Sequence, residues 1–289
     1  MKRIVLAIAL VALFAVPAMA QDVNVDVTAS GEFWGTFVAP SGDEGSFFED
    51  YSPFGPSSFF EHPNEYTFAT VNGKVGNNLG FTYTYDVSFQ ETDQAYGSYL
   101  PNAGLVNEVR AGKFKLPVGL NEYILSFADG VALLGKVGAF DYNLAMTDSV
   151  VDGIPGDSDT AVNLKLNTNM RLARVGATVY HESDRLDLFG VDLATGIGPF
   201  GFGGEYNFLN VLDVVNVKEK MLYVYGDYAY TPKTTFFVKY YNVSAVGDTV
   251  DGNKIGVAYT VSDNTTLRLM FGNGEVVGRG FEAALKTTF

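Results

Sequence analysis

The 289-residue chain contains no cysteine, two histidines and one tryptophan. Without cysteine there can be no disulfide framework and no lipid attached through an N-terminal cysteine. The two histidines are isolated. His62 lies in Phe60-Glu61-His62-Pro63 and His181 precedes Glu182, and neither belongs to a recognisable nucleophile motif. Catalysis is therefore not expected, and neither is a bound cofactor. Past residue 20, no stretch approaches the roughly twenty apolar residues that a membrane helix needs. Basic residues are also scarce, which argues against a nucleic-acid partner.

What is present begins with a secretory signal. Lys2 and Arg3 form a positive n-region, Ile4 to Val16 is apolar, and Ala18-Met19-Ala20 is a small-x-small cleavage site. Residues 1–20 are thus expected to be removed, leaving 21–289 as one domain without linker or composition shift. Losing Lys2 and Arg3 reduces the 19 Lys and Arg to 17 against 33 Asp and Glu, for a net charge of −16. The aromatic content of 14% argues against disorder, and 32 Gly with 17 Tyr and 23 Phe suit a long sheet.

The chain alternates with period two. From Leu79 to Gln90 the odd positions are Leu, Phe, Tyr, Tyr, Val and Phe, and the even ones are Gly, Thr, Thr, Asp, Ser and Gln. Successive strand side chains point to opposite faces, so one face is apolar and the other polar. The pattern recurs at Val23–Phe37, Phe140–Met146, Val162–Leu166, Phe200–Phe208, Ile255–Phe271 and Phe281–Phe289. Asp86, Lys165, Glu205 and Arg268 sit mid-strand on the polar face, where a wet lumen accepts them better than a dry core. A membrane protein lacking apolar helices satisfies its backbone only by closing a sheet.

The expected fold is therefore all-β, a transmembrane antiparallel up-and-down β-barrel. Strands are read at 23–38, 64–76, 79–90, 105–116, 136–147, 160–168, 172–182, 184–194, 197–208, 220–230, 234–246, 253–261, 264–273 and 279–289. That is about fourteen, with twelve or sixteen left open. Leu120 to Asp129 reads equally as a strand or as a loop folded into the lumen. Short turns fall at Gly76-Asn77-Asn78, Thr231-Pro232-Lys233 and Ser262-Asp263-Asn264. Longer connections run over Pro40–Pro63, Glu91–Gly104, Asp148–Asp159 and Ala245–Gly252. Asp148, Asp152, Asp157 and Asp159 do not follow an EF-hand spacing and read as an acidic solvated loop, with no metal site expected. The Pro40–Pro63 loop carries six aromatic residues among five acidic ones, too apolar to stand free in water.

One segment breaks the alternation: Arg110-Ala111-Gly112-Lys113-Phe114-Lys115-Leu116-Pro117-Val118-Gly119-Leu120. It resembles the hallmark of the phosphate-selective porin O and P family, Arg-x-Gly-x-Phe-Lys-x-Pro-Phe-Gly-Leu-Glu. Val118 stands where Phe is usual, and Asn121 where Glu is usual, with Glu122 one step later. The resemblance implies an outer-membrane porin in which the chain after this strand narrows the pore. The acidic balance departs from the basic richness of an anion-selective member.

By alternation, Arg110, Lys165, Arg174, Lys239, Lys254, Arg268 and Lys286 face inward with Asp26, Glu32, Asp86, Asp141, Glu205, Asp227 and Glu282. A mixed lining gives weak ion selectivity. The expected function is a channel for passive diffusion of small hydrophilic solutes or ions, lined by Arg110, Lys113, Lys115, Lys165, Arg268, Glu205 and Asp86. Arg110, Lys113 and Lys115 are expected at its constriction. The alternative is a plugged structural or adhesive barrel that binds a surface partner through its long loops. Expected partners are outer-membrane lipid and lipopolysaccharide, the barrel assembly machinery through terminal Phe289, and small solutes. A homotrimer is expected from the resemblance alone.

Overall fold

The computed structural model describes residues 25–40, 66–86, 91–101, 104–120, 127–148, 160–182, 186–211, 217–245, 248–274 and 280–288. The signal segment, most of Pro40–Pro63 and of Asp148–Asp159, and Phe289 lie outside them.

Sixteen strands form among the described residues. They are β1 (Val25–Pro40), β2 (Tyr66–Val75), β3 (Leu79–Asp86), β4 (Glu91–Tyr99), β5 (Val106–Lys115), β6 (Phe127–Val137), β7 (Phe140–Asp148) and β8 (Thr160–Asn169). There follow β9 (Ala173–Glu182), β10 (Leu186–Ile197), β11 (Phe200–Val211), β12 (Val217–Thr231), β13 (Thr234–Ala245), β14 (Asp248–Ser262), β15 (Thr265–Gly274) and β16 (Gly280–Thr288). Every strand pairs antiparallel with its sequence neighbours, and β1 pairs with β16, so the sheet closes and leaves no unpaired edge.

The count is thus sixteen rather than fourteen, and two strands account for the difference. β4 occupies most of the expected Glu91–Gly104 loop. β6 takes Phe127 to Asp129 from the ambiguous stretch, whose earlier part, Leu120, remains off the wall. A third expectation also changes. Ala245–Gly252 is not a long loop, because β14 already begins at Asp248 and pairs it with Ala245. The three short turns stand as expected, between β2 and β3, β12 and β13, and β14 and β15.

The outer face is apolar, as lipid requires. Val131, Val162, Leu193, Val238, Ile255 and Leu269 are all exposed. At the short-turn rim the exposed side chains turn aromatic: Phe140, Phe200, Tyr228, Tyr230, Phe236 and Tyr259. Phe200 stacks on Tyr228 at 4.9 Å between ring centroids, and Tyr230 meets Phe236 at 6.0 Å. Such a belt suits the headgroup boundary, where amphipathic rings are favoured. An outward cation in the middle of β10 should be poorly tolerated. Val191→Arg is expected to lower stability by about 2–4 kcal/mol, the range for a midplane Arg on a lipid face. Urea unfolding in phospholipid vesicles checks this.

The buried cluster lies inside the barrel. Phe114, Leu116, Val118, Leu186, Leu188, Leu209, Met221, Tyr223, Tyr241 and Val243 belong to it. The strands β8 to β13 thus have lumen faces that are partly apolar, and the lumen is not uniformly wet.

Candidate functional site: a segment pinned across the lumen

The cluster exists because the chain after β5 leaves the wall. Residues 116–120 are not part of any strand, and Gly119 takes φ +54°, a left-handed conformation that glycine adopts without a Cβ penalty. Leu116 and Val118 are buried at this bend. The backbone groups released from the ladder find partners on strands three to six positions away around the barrel. Gly119 N–H donates to Thr178 Oγ1 of β9 at 3.3 Å, and Leu120 N–H donates to the Glu205 carboxylate of β11. Lys165 Nζ of β8 donates to the Gly119 carbonyl at 2.9 Å. Each satisfies a buried backbone group that would otherwise cost a full desolvation penalty.

The receiving wall is charged, and the segment helps compensate it. Asp192 of β10 stands directly opposite Glu205 of β11, with both side chains nearly fully buried. Two carboxylates facing each other are repulsive unless cations or donors sit between them. Lys165 forms an ion pair with Asp192, Arg174 approaches the same carboxylate at 3.6 Å, and Leu120 N–H serves Glu205. Gly176, opposite Asp192, leaves its side-chain space to that carboxylate, and Gly119 stands in the same way against Glu205. The arrangement is a buried latch made of Lys165, Asp192, Glu205 and Thr178, closed by the main chain of Gly119 and Leu120.

On the β5 side, Arg110 forms a two-pronged pair with Glu108 at 2.9 and 3.0 Å, its guanidinium 5.1 Å from the Tyr96 ring centroid. Tyr96 also packs edge-on against Phe114 at 6.4 Å. Arg110, Tyr96 and Phe114 therefore share the lumen face, with Gly112 beneath the Tyr96 backbone.

Of the residues expected to line the pore, Arg110, Lys165, Glu205 and Arg268 are on the lumen side. Lys165 and Glu205 hold the segment rather than face open space. Lys113 and Lys115 are displaced from their expected role. They alternate with Phe114, which is fully buried in the lumen cluster, so both point to the outer face. Lys113 pairs with exposed Asp129, and its ammonium donates to the Thr92 carbonyl. Asp86 ends β3, and its side chain lies outside the described residues. Sequence reading missed Asp192 and Thr178. Phe189, Val191 and Leu193 form the outer face of β10, so alternation places Asp192 inward with Gly190 and Ala194; what it does not show is the carboxylate's partners.

Between Leu120 and the strands β12 to β15 a space of about 590 Å³ stays open. Arg174, Lys239, Arg268, Asp227, Tyr225 and Phe237 border it.

No family model matches the chain, and no curated protein matches it in sequence. Its backbone resembles solved outer-membrane proteins. In vitro folded OmpT of Vibrio cholerae shares 15% identity at a TM-score of 0.63, over 93% of this chain and 98% of that one. The outer membrane channel DcaP of Acinetobacter baumannii shares 13% at 0.64, over 92% and 97%. Salmonella typhi OmpF, in complex with daunomycin, shares 10% at 0.61, over 91% and 97%. At these identities the likeness is one of fold, and the fold is the closed antiparallel barrel of outer-membrane porins.

Proposed function

We propose that the protein is an outer-membrane channel for passive diffusion of small hydrophilic solutes or ions. The observation that carries this reading is the open space left between the pinned segment and β12–β15, inside a closed barrel with a lipid-suited exterior. Leu120 forms one border of the passage, and Arg174, Lys239, Arg268 and Asp227 line the rest. With Arg174 shared with Asp192, Lys239 and Arg268 against Asp227 give the lining a small cationic excess, and the passage favours anions weakly. Lys165 and Glu205 position the segment, whereas Arg268 faces the solute. Membership of the porin O and P family is part of this proposal, supported by the Arg110–Leu120 motif and its inward bend. The cleaved signal and a terminal Phe289 read by the assembly machinery fit the same localisation. The OmpT relative is also known in a trimer form, and a homotrimer is the assembly proposed.

The test is planar-bilayer recording of the refolded protein. Discrete channels with a modest anion preference are expected. In the double variant Lys239→Glu with Arg268→Glu, that preference should reverse toward cations. Well-folded protein without channels would instead support a plugged structural or adhesive barrel. That second reading draws on the buried apolar cluster, which closes part of the lumen.

A further inference from the structure

The outward row of β12 changes character toward the long-loop rim. Tyr228, Val224 and Leu222 are followed on the same parity by Lys220 and Lys218, both exposed. Glu219, between the two lysines, is buried and faces the lumen. Lys220 stands opposite Phe208 of β11 and Ser244 of β13, and Lys218 stands opposite Asn210 of β11. Toward the short turns, Val191, Tyr206 and Val224 continue as exposed lipid-facing surface. An apolar band therefore gives way to cations and hydrogen-bonding groups within a few residues.

Neither ammonium is joined to a described residue by an ion pair or hydrogen bond. The outward carboxylates on either side are one strand further off. Asp187 of β10 lies across Asn210 and bonds His181 Nδ1 at 2.6 Å, and Asp251 of β14 lies across Asn242. Asn210 Oδ1 is buried without a hydrogen-bond partner. Lys113 and Lys115, outward on β5, differ. Lys113 donates to the Thr92 carbonyl, and Lys115 also has a partner.

These features narrow what sits here. An ammonium facing hydrocarbon is destabilising at mid-depth and tolerated near the headgroups, where its stem can lie along apolar neighbours. Two ammoniums about 7 Å apart on one strand face can share a single phosphate. A soluble anion would answer the charge but leave the apolar band to other molecules. A zwitterionic lipid would cover the band but bring its own cation beside the lysines. An anionic lipid answers both, because basic residues at a membrane surface attract its headgroup. A hydroxyl in that headgroup would also donate to Asn210 Oδ1.

We propose that the outward face of β10–β12 at the long-loop rim binds an anionic, hydroxyl-bearing phospholipid. Its phosphate lies between Lys218 and Lys220, its hydroxyl on Asn210, and its chains along Phe208, Tyr206 and Val224. The site lies outside the barrel and needs no conduction, so it stands apart from the channel reading.

Native mass spectrometry of the refolded protein tests it with phosphatidylglycerol and phosphatidylcholine of identical acyl chains. Phosphatidylglycerol is expected to bind about tenfold or more tighter than phosphatidylcholine. Lys218→Gln with Lys220→Gln should weaken phosphatidylglycerol about tenfold and leave phosphatidylcholine unchanged. Lys233→Gln, in the turn after β12, removes the same charge at the opposite rim and should change neither. Glycerol 3-phosphate in excess, a headgroup without chains, should not displace the bound lipid. Heat-modifiable gel migration verifies that each variant is folded. Equal affinity for the two lipids, unchanged phosphatidylglycerol binding in the double variant, or an equal loss in Lys233→Gln would overturn the assignment. Displacement by glycerol 3-phosphate would overturn it too, since the site would then be one for free phosphate esters.

Discussion

Lys165→Met is expected to destabilise the barrel by about 3–5 kcal/mol, the usual cost of removing one partner from a buried ion pair. The substitution keeps most of the side-chain volume, so packing changes little. Asp192 is left buried opposite Glu205 with only Arg174 at 3.6 Å to answer it. The Gly119 carbonyl loses its donor at the same time. Two consequences should appear together. The urea midpoint falls, and single-channel conductance rises and becomes noisier as residues 116–120 detach from the wall. Lys136→Met is the control, because its pair with Asp141 is 3.9 Å long and exposed on both sides. Exposed pairs contribute about 1 kcal/mol or less, so that variant should behave as the parent protein.

Gly112→Val should cost about as much, because nothing nearby can yield. Gly112 has φ +127°, which a β-branched residue does not adopt, and a Cβ there falls within contact of the Ala95 carbonyl and the Tyr96 backbone. Backbone strain of roughly 1–3 kcal/mol adds to overpacking of about the same size, for a loss of roughly 2–6 kcal/mol. The β4–β5 pairing should fail, seen as a low yield of heat-modifiable protein on refolding. Gly196→Ala is the matched control. It has ordinary φ, with only the Phe200 carbonyl nearby at 3.7 Å, and should refold normally. A normal Gly112→Val yield would show that the β4–β5 geometry is not fixed by this glycine.

These variants mark which parts of the structure alternation could reveal. β3 was plain because its outer residues Leu79, Phe81, Tyr83 and Tyr85 alternate with polar ones. β4, with sequence ETDQAYGSY, has small or polar residues on both faces and so shows no apolar side. β6 fails for the opposite reason. Ala128, Ala132 and Leu134 face the buried cluster while Val131, Leu133 and Val137 take the outer parity, so neither face is polar. β14 starts earlier than expected because Asp248, Thr249 and Asp251 lie in its first turn of pleat. The hallmark segment was legible as a bend, through Pro117 and Gly119, but its partners were not. Lys165, Thr178, Asp192 and Glu205 belong to four strands whose convergence depends on register around the barrel. The misplacement of Lys113 and Lys115 has a simpler cause. Basic residues in a pore motif suggest a lining, yet parity with buried Phe114 sends them outward.

The absence of native cysteine allows the central geometry to be probed with single introduced thiols. Leu120→Cys places one at the border of the open passage, and Lys113→Cys places one on the outer face of β5. Single-channel current is recorded before and after adding 2-sulfonatoethyl methanethiosulfonate, a charged thiol reagent. Stepwise loss of current is expected for Leu120→Cys, with Lys113→Cys unchanged. Block through position 113 with none through position 120 would contradict both the inward-pinned segment and the passage beside it.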